Sequence, residues 1–423
     1  MAHIINSSIC EGVSFSYLKR PDLKVARISI SIFLPLKKEN ASRNAILPFL
    51  LARSCSKYPD FTSFNKKLYD LYGMALQGNV SKIGEIQILS VIAEFLDERY
   101  VLGGESISKE ATELLCEVLF RPKFLQEDSF GEDLDQEKNQ LIQYLESEYN
   151  DKKLYSERRC QQIMCKNERY SVHKMGTKED LLSITPRDVQ KSWENSLSAA
   201  KIRIGFIGNS EPDFVISVLK EEFSKIKRNK PTELSTQVVK RALVQKEVEE
   251  KQEIKQAKLV LGFRTRFAMP GEDCFNSLLM SIILGGTFHS KLFLNVREKL
   301  SLCYYCSSSY DRNKGIITIK SGIKKENIGE TRSEIFKQIE DMKSGKIARE
   351  EIVFAKKSVG SAFMSIYDSV DRLDFFYAEQ SMYEKIYSPE ELVSKIEGIS
   401  KDEIVNAANA ITLDTVYTLV PNA

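Results

Sequence analysis

Histidine is scarce in this sequence: His3, His173 and His289 are the three among 423 residues. Zinc hydrolases commonly hold their metal with imidazole side chains. No two of these histidines are separated by the three or four residues that would place both on one face of a helix. We therefore expect no metal site built on histidine in this chain.

The sequence also lacks an excess of charge and a long apolar run. It has 61 Lys and Arg against 59 Asp and Glu, a net charge of +2, with both signs interleaved. Such a balance offers no basic surface for nucleic acid. Its longest apolar stretch, Ala45 to Ala52, is far shorter than the about 20 residues that cross a bilayer. The start of the chain has no secretory pattern, so we expect a cytoplasmic protein that binds neither nucleic acid nor membrane.

Eight cysteines are scattered through apolar segments, a pattern typical of free buried thiols rather than of a disulfide framework. Cys303 and Cys306 have the Cys-x-x-Cys spacing, but their context predicts a strand. Side chains three residues apart on a regular strand point to opposite faces. We therefore expect this pair neither to bind a metal nor to form a disulfide. The cysteines are Cys10, Cys55, Cys116, Cys160, Cys165, Cys274, Cys303 and Cys306.

A charged segment at 227–252 separates two similar halves, which predicts domains at 1–226 and 253–423 joined by a linker. Ala26 to Leu34 alternates apolar and polar residues like a half-buried strand, and Ala257 to Thr265 has the equivalent place in the second half. An apolar helical stretch follows each strand. The repeat indicates a duplicated unit.

Each half also ends with a helix start followed by a strand. Thr185 and Ser400 are suited to cap a helix, with Asp188 and Glu403 three residues later, and Pro186 fits the first helical position. Strands grouped early and helices grouped late predict the α+β class, with two homologous sandwich halves in which helices pack on an antiparallel or mixed sheet.

One pair of residues suggests chemistry. Arg297 ends the amphipathic stretch Lys291 to Val296, and Tyr304 enters the next predicted strand. Both are hydrogen-bond donors that can bind a carbonyl oxygen, or the oxyanion formed when that carbonyl is attacked. On spacing alone the signal is weak, and the better interpretation is a solvated or salt-bridged helix arginine and an ordinary strand aromatic.

The run from Leu284 to Tyr304 resembles the C-terminal-domain signature of the pitrilysin/insulinase family of zinc peptidases. The family pattern is Leu-Gly-Gly-Gly, Ser-x-Leu-Phe, Arg-Glu-Lys and Gly-Leu-Ala-Tyr. The resemblance implies duplicated α+β halves and covers the whole chain. It also implies that Arg297 and Tyr304 bind substrate close to a zinc ion held by an opposite domain. Here Ser301 and Cys303 replace the Gly and Ala of the signature. The sequence reads Leu-Gly-Gly-Thr-Phe-His-Ser-Lys-Leu-Phe-Leu-Asn-Val-Arg-Glu-Lys-Leu-Ser-Leu-Cys-Tyr.

The catalytic motif of that family is absent. His-x-x-Glu-His on the first helix supplies two zinc ligands and the general base. The corresponding residues here are Pro48, Leu51 and Ala52. Glu137 matches a glutamate that precedes the third ligand by seven residues, and the ligand position falls on Tyr144. The resemblance therefore implies a chain that holds no metal and hydrolyses no peptide by the family mechanism.

This pattern resembles the non-catalytic subunits of the family, in bacteria, that pair with an active sister. The hypothesis is a heterodimeric clamshell peptidase in which the sister subunit holds zinc through an intact His-x-x-Glu-His. This chain would bring no cofactor and would contribute Arg297 and Tyr304 in trans. Its substrate would be a peptide or an unfolded segment. The alternative is a non-enzymatic scaffold or peptide-binding protein of the same fold.

Overall fold

The computed structural model describes residues 4–125 and 130–422. These ranges contain eleven strands, which form two sheets, and fourteen α-helices, which confirms the α+β class. The strands are β1 Ile4–Cys10, β2 Val13–Lys19, β3 Val25–Pro35, β4 Ala75–Ile83, β5 Ile86–Leu96, β6 Lys201–Gly208, β7 Lys246–Gln252, β8 Ala257–Arg264, β9 Cys303–Asp311, β10 Ile316–Ile323 and β11 Thr412–Pro421. The helices are α1 Lys38–Leu51, α2 Phe61–Asp70, α3 Ile107–Phe120, α4 Gly131–Asn150, α5 Lys152–Met164, α6 Lys178–Ser183, α7 Pro186–Ala199, α8 Asp213–Ser224, α9 Cys274–Gly285, α10 Ile328–Lys343, α11 Arg349–Met364, α12 Val370–Gln380, α13 Pro389–Gly398 and α14 Lys401–Asn409.

The first compact unit comprises the described residues up to 145, together with 172–235 and 367–384. Its sheet has the order β1-β2-β6-β3-β5-β4, antiparallel except between β2 and β6. The alternation predicted for β3 is present, because Ile28, Ile30 and Ile32 lie in the core. Helices α1 and α3 pack on β5, and α1 also covers β4.

The other alternating side chains of β3 meet helix α12. The carboxylate of Asp374 accepts hydrogen bonds from Ser29 at 2.9 Å, Arg27 at 3.2 Å and Arg203 of β6 at 2.8 Å. All four residues are buried. A buried charge is tolerated only when it is paired and hydrogen-bonded, so this cluster ties α12 to the sheet.

The second compact unit comprises 146–171, 236–366 and the described residues from 385 onward, with strand order β7-β11-β8-β10-β9. The end of the predicted linker, Lys246–Gln252, is not a linker but strand β7. Its charged residues alternate between half-buried and exposed because β7 lies at the sheet edge, paired with β11 alone. Charged side chains are usual on an edge strand, where they discourage pairing with another chain.

A second buried ion cluster lies where α5 packs on β8. Arg264 donates to Glu168 at 2.6 Å and to Asp414 at 2.9 Å, and Lys314 forms an ion pair with Glu168 at 2.7 Å. Helix α5 precedes the predicted linker and α12 follows it. The compact units are therefore not contiguous in sequence, unlike the predicted domains 1–226 and 253–423, which remain a prediction about the repeat.

The two helix starts predicted from the repeat are confirmed. Thr185 and Ser400 each accept a hydrogen bond from the backbone of the third helical residue, Asp188 or Glu403, whose carboxylate bonds back to the cap. Pro186 is the first residue of α7. In the described ranges, no helix combines the length and the apolar character needed to cross a bilayer.

Candidate functional site

The C-terminal end of α1 is where the family resemblance places the metal-binding motif. Pro48 lies inside the helix, Leu51 is its last residue and Ala52 is the C-cap. None of the three side chains can donate a lone pair to a metal or accept a proton from water. Strand β4 also approaches closely, because a Cβ on Gly78 would lie 2.3 Å from the carbonyl oxygen of Pro48. These residues do not fit a zinc ion.

Arg53, directly after the C-cap, fills this region with a fixed positive charge. Its guanidinium donates to Asp133 at 2.8 Å and to Glu137 at 3.0 Å, both on α4, and to the side chain of Gln136. Lys123 binds the second oxygen of Asp133 at 2.6 Å. Glu137, which matches a family glutamate, is therefore held by an arginine. The sequence offered a cue in the spacing of Asp133 and Glu137, which places both on one helical face beside a cation.

The two carboxylates respond differently to this environment. Burial raises the pKa of Glu137, and the hydrogen bond from Arg53 offsets that rise only in part. Burial acts in the same direction on Asp133, but its hydrogen bonds to Lys123 and Arg53 outweigh burial and lower its pKa. Asp133 accepts hydrogen bonds from two cations and Glu137 from one, which accounts for the opposite directions of their pKa shifts.

Tyr144, at the third ligand position, is two turns further along α4 and partly exposed, with the ammonium of Lys174 5.6 Å from its ring centre. Across residues 4–125 and 130–422, no three His, Cys, Asp or Glu side chains are grouped so that they could hold a metal ion. The side chains of α1 and α4 therefore provide no zinc site, and we derive no catalytic step from one.

Arg297 lies on a π-helical segment, Phe293–Lys299, in the second unit. Val296 is buried and anchors this segment, whereas the Arg297 side chain is 40% exposed. The guanidinium carbon is 4.7 Å from the ring centre of Phe293, and the nearest carboxylate oxygen, from Glu298, is 3.6 Å away. That distance is an ion pair without a normal hydrogen bond, so the donors of Arg297 remain available.

Tyr304 lies at a β-bulge in the edge strand β9. Tyr305 pairs with Gly322 and Cys303 with Ile323, so Tyr304 is the extra residue and is 61% exposed. Among the described side chains, no hydrogen bond joins Tyr304 to Arg297. The structure brings the two residues to one short helix-to-strand segment without a direct contact.

The turn between them explains a feature of the sequence. Ser301 has φ of 52°, in the left-handed region that favours glycine, and the family signature has glycine at this position. A non-glycine residue in this conformation costs roughly 1–2 kcal/mol. Ser301 therefore adopts a conformation that suits the glycine of the signature better than a serine.

The premise that the side chains of Cys303 and Cys306 point to opposite faces of the strand was wrong. The bulge at Tyr304 adds one residue to β9, so both side chains point to the same face of the sheet and both are buried. Residue spacing alone could not show this, because the bulge depends on pairing with β10. The neighbouring Cys306 lowers the pKa of Cys303, whereas Cys303 and burial raise the pKa of Cys306. All eight cysteines are free thiols.

Comparison with known proteins agrees with the resemblance. Residues 183–359 match the family model described as "Peptidase M16 inactive domain". The chain is 28% identical over 409 residues to the "Probable inactive metalloprotease YmfF" of Bacillus subtilis, covering 96% of each chain. It is 25% identical over 247 residues to the "Uncharacterized zinc protease YmxG" of the same species, covering 58% of this chain and 56% of that one.

Solved structures show the same fold. A conserved protein from Enterococcus faecalis superposes with a TM-score of 0.90 at 24% identity, covering 99% of each chain. A protease from Helicobacter pylori does so with a TM-score of 0.78 at 16% identity, covering 99% of this chain and 100% of that one. These findings agree with the resemblance to the pitrilysin/insulinase family: the chain is similar to the M16 inactive domain over residues 183–359 and to the Bacillus subtilis YmfF protein over 96% of its length.

Proposed function

We propose that this chain is the non-catalytic subunit of a heterodimeric zinc endopeptidase in the cytoplasm. A sister subunit holds zinc through His-x-x-Glu-His, and this chain contributes Arg297 and Tyr304 to binding of the peptide substrate in trans. The zinc and its base generate the attacking hydroxide. Donors on the non-catalytic subunit stabilise the charge that develops on the attacked carbonyl.

The observation that carries this proposal is the free donor capacity of Arg297 and Tyr304. A guanidinium has five N–H donors and is always charged, whereas a phenol has one O–H donor. Arg297 has no side-chain acceptor within normal hydrogen-bond distance in the described structure, and Tyr304 is exposed at an edge strand. Polar groups that serve stability alone are usually paired with protein groups, as Arg53 is.

The end of α1 supports the other half of the proposal. Proline, leucine and alanine stand at the positions of the family's motif. The guanidinium of Arg53 is hydrogen-bonded to the nearby carboxylates of Asp133 and Glu137. Hydrolysis that involves this chain therefore requires a metal on another chain. The expected substrate is a peptide or an unfolded segment, bound as an added strand along a sheet edge.

Co-purification from the native cell tests the pairing. We expect a companion of similar length that carries His-x-x-Glu-His. Each chain alone should leave a fluorogenic peptide library intact, and the reconstituted pair should cleave it in a chelator-sensitive manner. Cleavage by the isolated chain contradicts the proposal. A companion without the motif, or an inert pair, favours the scaffold or peptide-binding alternative.

A further inference from the structure

A cavity of the first unit lies between helices α1 and α7, at the opposite end of α1 from the positions of the family motif. Its volume is about 230 Å³. Lys37, Asn40 and Asn44 are spaced three and four residues apart, so that one face of α1 lines the cavity, and Ser192 and Ser196 do the same on α7. Within the described ranges, no Asp or Glu side chain lines it. The cavity therefore has polar side chains on both helices and no negative charge.

Two cations of this cavity have no carboxylate partner. The side chain of Lys37 forms no hydrogen bond or ion pair with the part of the chain that the structure describes. Arg43 donates through Nε and Nη2 to the backbone carbonyl of Glu39, at 3.1 and 2.6 Å, which leaves its Nη1 without an acceptor there. The side-chain amides of Asn40 and Asn195, also in the lining, have no partner among residues 4–125 and 130–422. These four side chains provide donors that the described chain does not use.

The end of α7 does not supply the missing acceptors. Cations near the C-terminal end of a helix ordinarily bind its last carbonyl oxygens. Here Arg228 donates to the carbonyls of Leu197 and Ala200, and the backbone of Thr232 donates to that of Ala199 at 2.8 Å. These carbonyls therefore have partners other than the cations of the cavity.

One acidic side chain lies within electrostatic reach of Arg43. Hydrogen bonds from Thr185, and to a smaller extent the charge of Arg43, lower the pKa of Asp188. The Asp188 carboxylate accepts from the hydroxyl and the backbone of Thr185, at 2.6 and 3.0 Å, and in the described ranges it forms no ion pair with Arg43. Asp188 therefore does not neutralise the cavity.

Another cavity of the same unit shows the contrast. Its Lys67 is paired with Glu110 at 2.7 Å, and its Arg121 is paired with Glu117 and Glu222, each at 3.0 Å. These cations are balanced by carboxylates of the chain in the lining itself. The cavity between α1 and α7 has the positive charge without that balance.

We propose that the cavity between α1 and α7 binds a small oxyanion, a phosphoryl or carboxylate group, through Lys37, Arg43, Asn40 and Asn195. A guanidinium matches the oxygens of either group, and an ammonium adds a point charge. The amides supply neutral donors. The site lies outside the proposed peptidase chemistry, because it uses none of the residues of the proposed peptide site.

Calorimetric titration of the full-length chain tests this proposal, in a buffer without phosphate and at a constant chloride concentration. We expect inorganic phosphate or succinate to bind one-to-one with a Kd of about 1 mM or lower, because two charged donors hold the anion. Tighter binding of phosphate identifies a phosphoryl ligand, and tighter binding of succinate identifies a carboxylate. If neither anion binds saturably, the proposal is wrong.

Variants locate the binding. Lys37→Ala and Arg43→Ala should each weaken it by roughly 10- to 100-fold, the usual effect of losing a charge-assisted hydrogen bond. Asn40→Asp keeps the size of the side chain but places a carboxylate in the cavity, so binding should be lost. Wild-type affinity in all three variants would overturn the assignment.

Lys38→Ala is the matched control, because Lys38 is exposed, is next to Lys37 in sequence and does not line the cavity. It should bind with wild-type affinity. An equal loss in Lys38→Ala and Lys37→Ala would mean that the anion responds only to net charge, which contradicts a site. Circular dichroism establishes that each variant is folded. The experiment needs no sister subunit, so a negative result leaves the proposed peptidase role untouched.

Discussion

Arg53 and Arg297 are two arginines with opposite environments. Arg53, in the first unit, has an 18% exposed side chain and donates to Asp133, Glu137 and Gln136. Arg297, in the second unit, is 40% exposed, and its partners among the described residues are Glu298, at 3.6 Å, and the ring of Phe293. The first guanidinium neutralises carboxylates of its own chain. The second has donors that no side-chain acceptor in the described residues takes up at normal hydrogen-bond distance.

The first unit lacks the metal-binding residues of the motif but keeps its fold. In the first unit, the α+β framework persists although the ligand positions are apolar, because a protein cation balances the carboxylates of α4. In the second unit, the turn that presents Arg297 and Tyr304 persists even at the cost of a left-handed Ser301. The proposed substrate binding uses only the second arrangement.

The largest expected effect comes from Arg297→Ala. In the reconstituted pair, loss of a donor to the developing oxyanion should lower kcat/KM by roughly 10²- to 10³-fold. Stability should stay within about 0.5 kcal/mol, as for surface substitutions generally. Steady-state kinetics and urea unfolding measure the two quantities.

Arg349→Ala, at an exposed arginine of the same unit, is the control and should leave kcat/KM unchanged. Arg297→Lys should recover part of the rate, because it restores the charge without the planar fork. Wild-type kinetics in Arg297→Ala would make Arg297 an ordinary surface residue.

Arg53→Ala should instead lower the stability of the chain. It leaves Glu137 without its cation and Asp133 with Lys123 alone. Removal of one partner of a buried ion pair costs several kcal/mol, and the partial exposure of Arg53 reduces this to about 2–4 kcal/mol. Trp193, the single tryptophan of the chain, lies in the first unit, so its fluorescence follows unfolding of that unit in urea.

Arg43→Ala, on α1, removes an arginine that donates to the backbone carbonyl of Glu39, and it should cost under about 1 kcal/mol. Equal losses in the two variants would mean that the ion cluster around Arg53 contributes nothing special to stability.

Tyr304→Phe removes one hydroxyl and should have a smaller effect on rate than Arg297→Ala. A single neutral hydrogen bond has a net value of about 0.5–1.5 kcal/mol, which predicts a decrease in kcat/KM of roughly 2- to 10-fold. Tyr69→Phe, at an exposed tyrosine of the first unit, is the matched control. If kcat/KM falls because KM rises while kcat stays unchanged, Tyr304 binds the substrate in its ground state rather than the oxyanion.

Much of the fold follows from local sequence rules. Alternation identified β3 and β8, and cap chemistry identified the starts of α7 and α14. The sequence could not place α5 and α12, because their partners lie far along the chain. Asp374, for example, meets Arg27 across 347 positions. Such pairing depends on tertiary structure, which no local period encodes.

The candidate site divides in the same way. Arg297 and Tyr304 could be predicted as candidate residues from the resemblance of a short sequence run, because a motif match depends only on residue identity. The pairing of Arg53 with Glu137 joins residues 84 positions apart, and the shared face of Cys303 and Cys306 depends on the register of β9 against β10. Periodicity assumes a regular strand, so it fails wherever a bulge inserts a residue.

Glu137→Gln should have the smallest effect and gives the finest test of the electrostatics near Arg53. The folded state raises the pKa of Glu137 above its ordinary value of 4.5. Between the unfolded and folded pKa values, the folded chain holds more protons at this position than the unfolded chain does. The stability contributed by Glu137 is therefore fully present below the unfolded pKa and is lost as pH rises through the folded pKa.

Glutamine cannot titrate and keeps an oxygen that accepts from Arg53. The stability of Glu137→Gln relative to the wild-type chain should therefore improve as pH rises from about 4 to about 7, with a total difference under about 1 kcal/mol. Urea unfolding followed by Trp193 fluorescence at several pH values measures this trend. A relative stability that instead falls with rising pH would mean that the charge of Arg53 outweighs burial, and Glu137 would then be a stabilising partner of Arg53 rather than a carboxylate held at a cost.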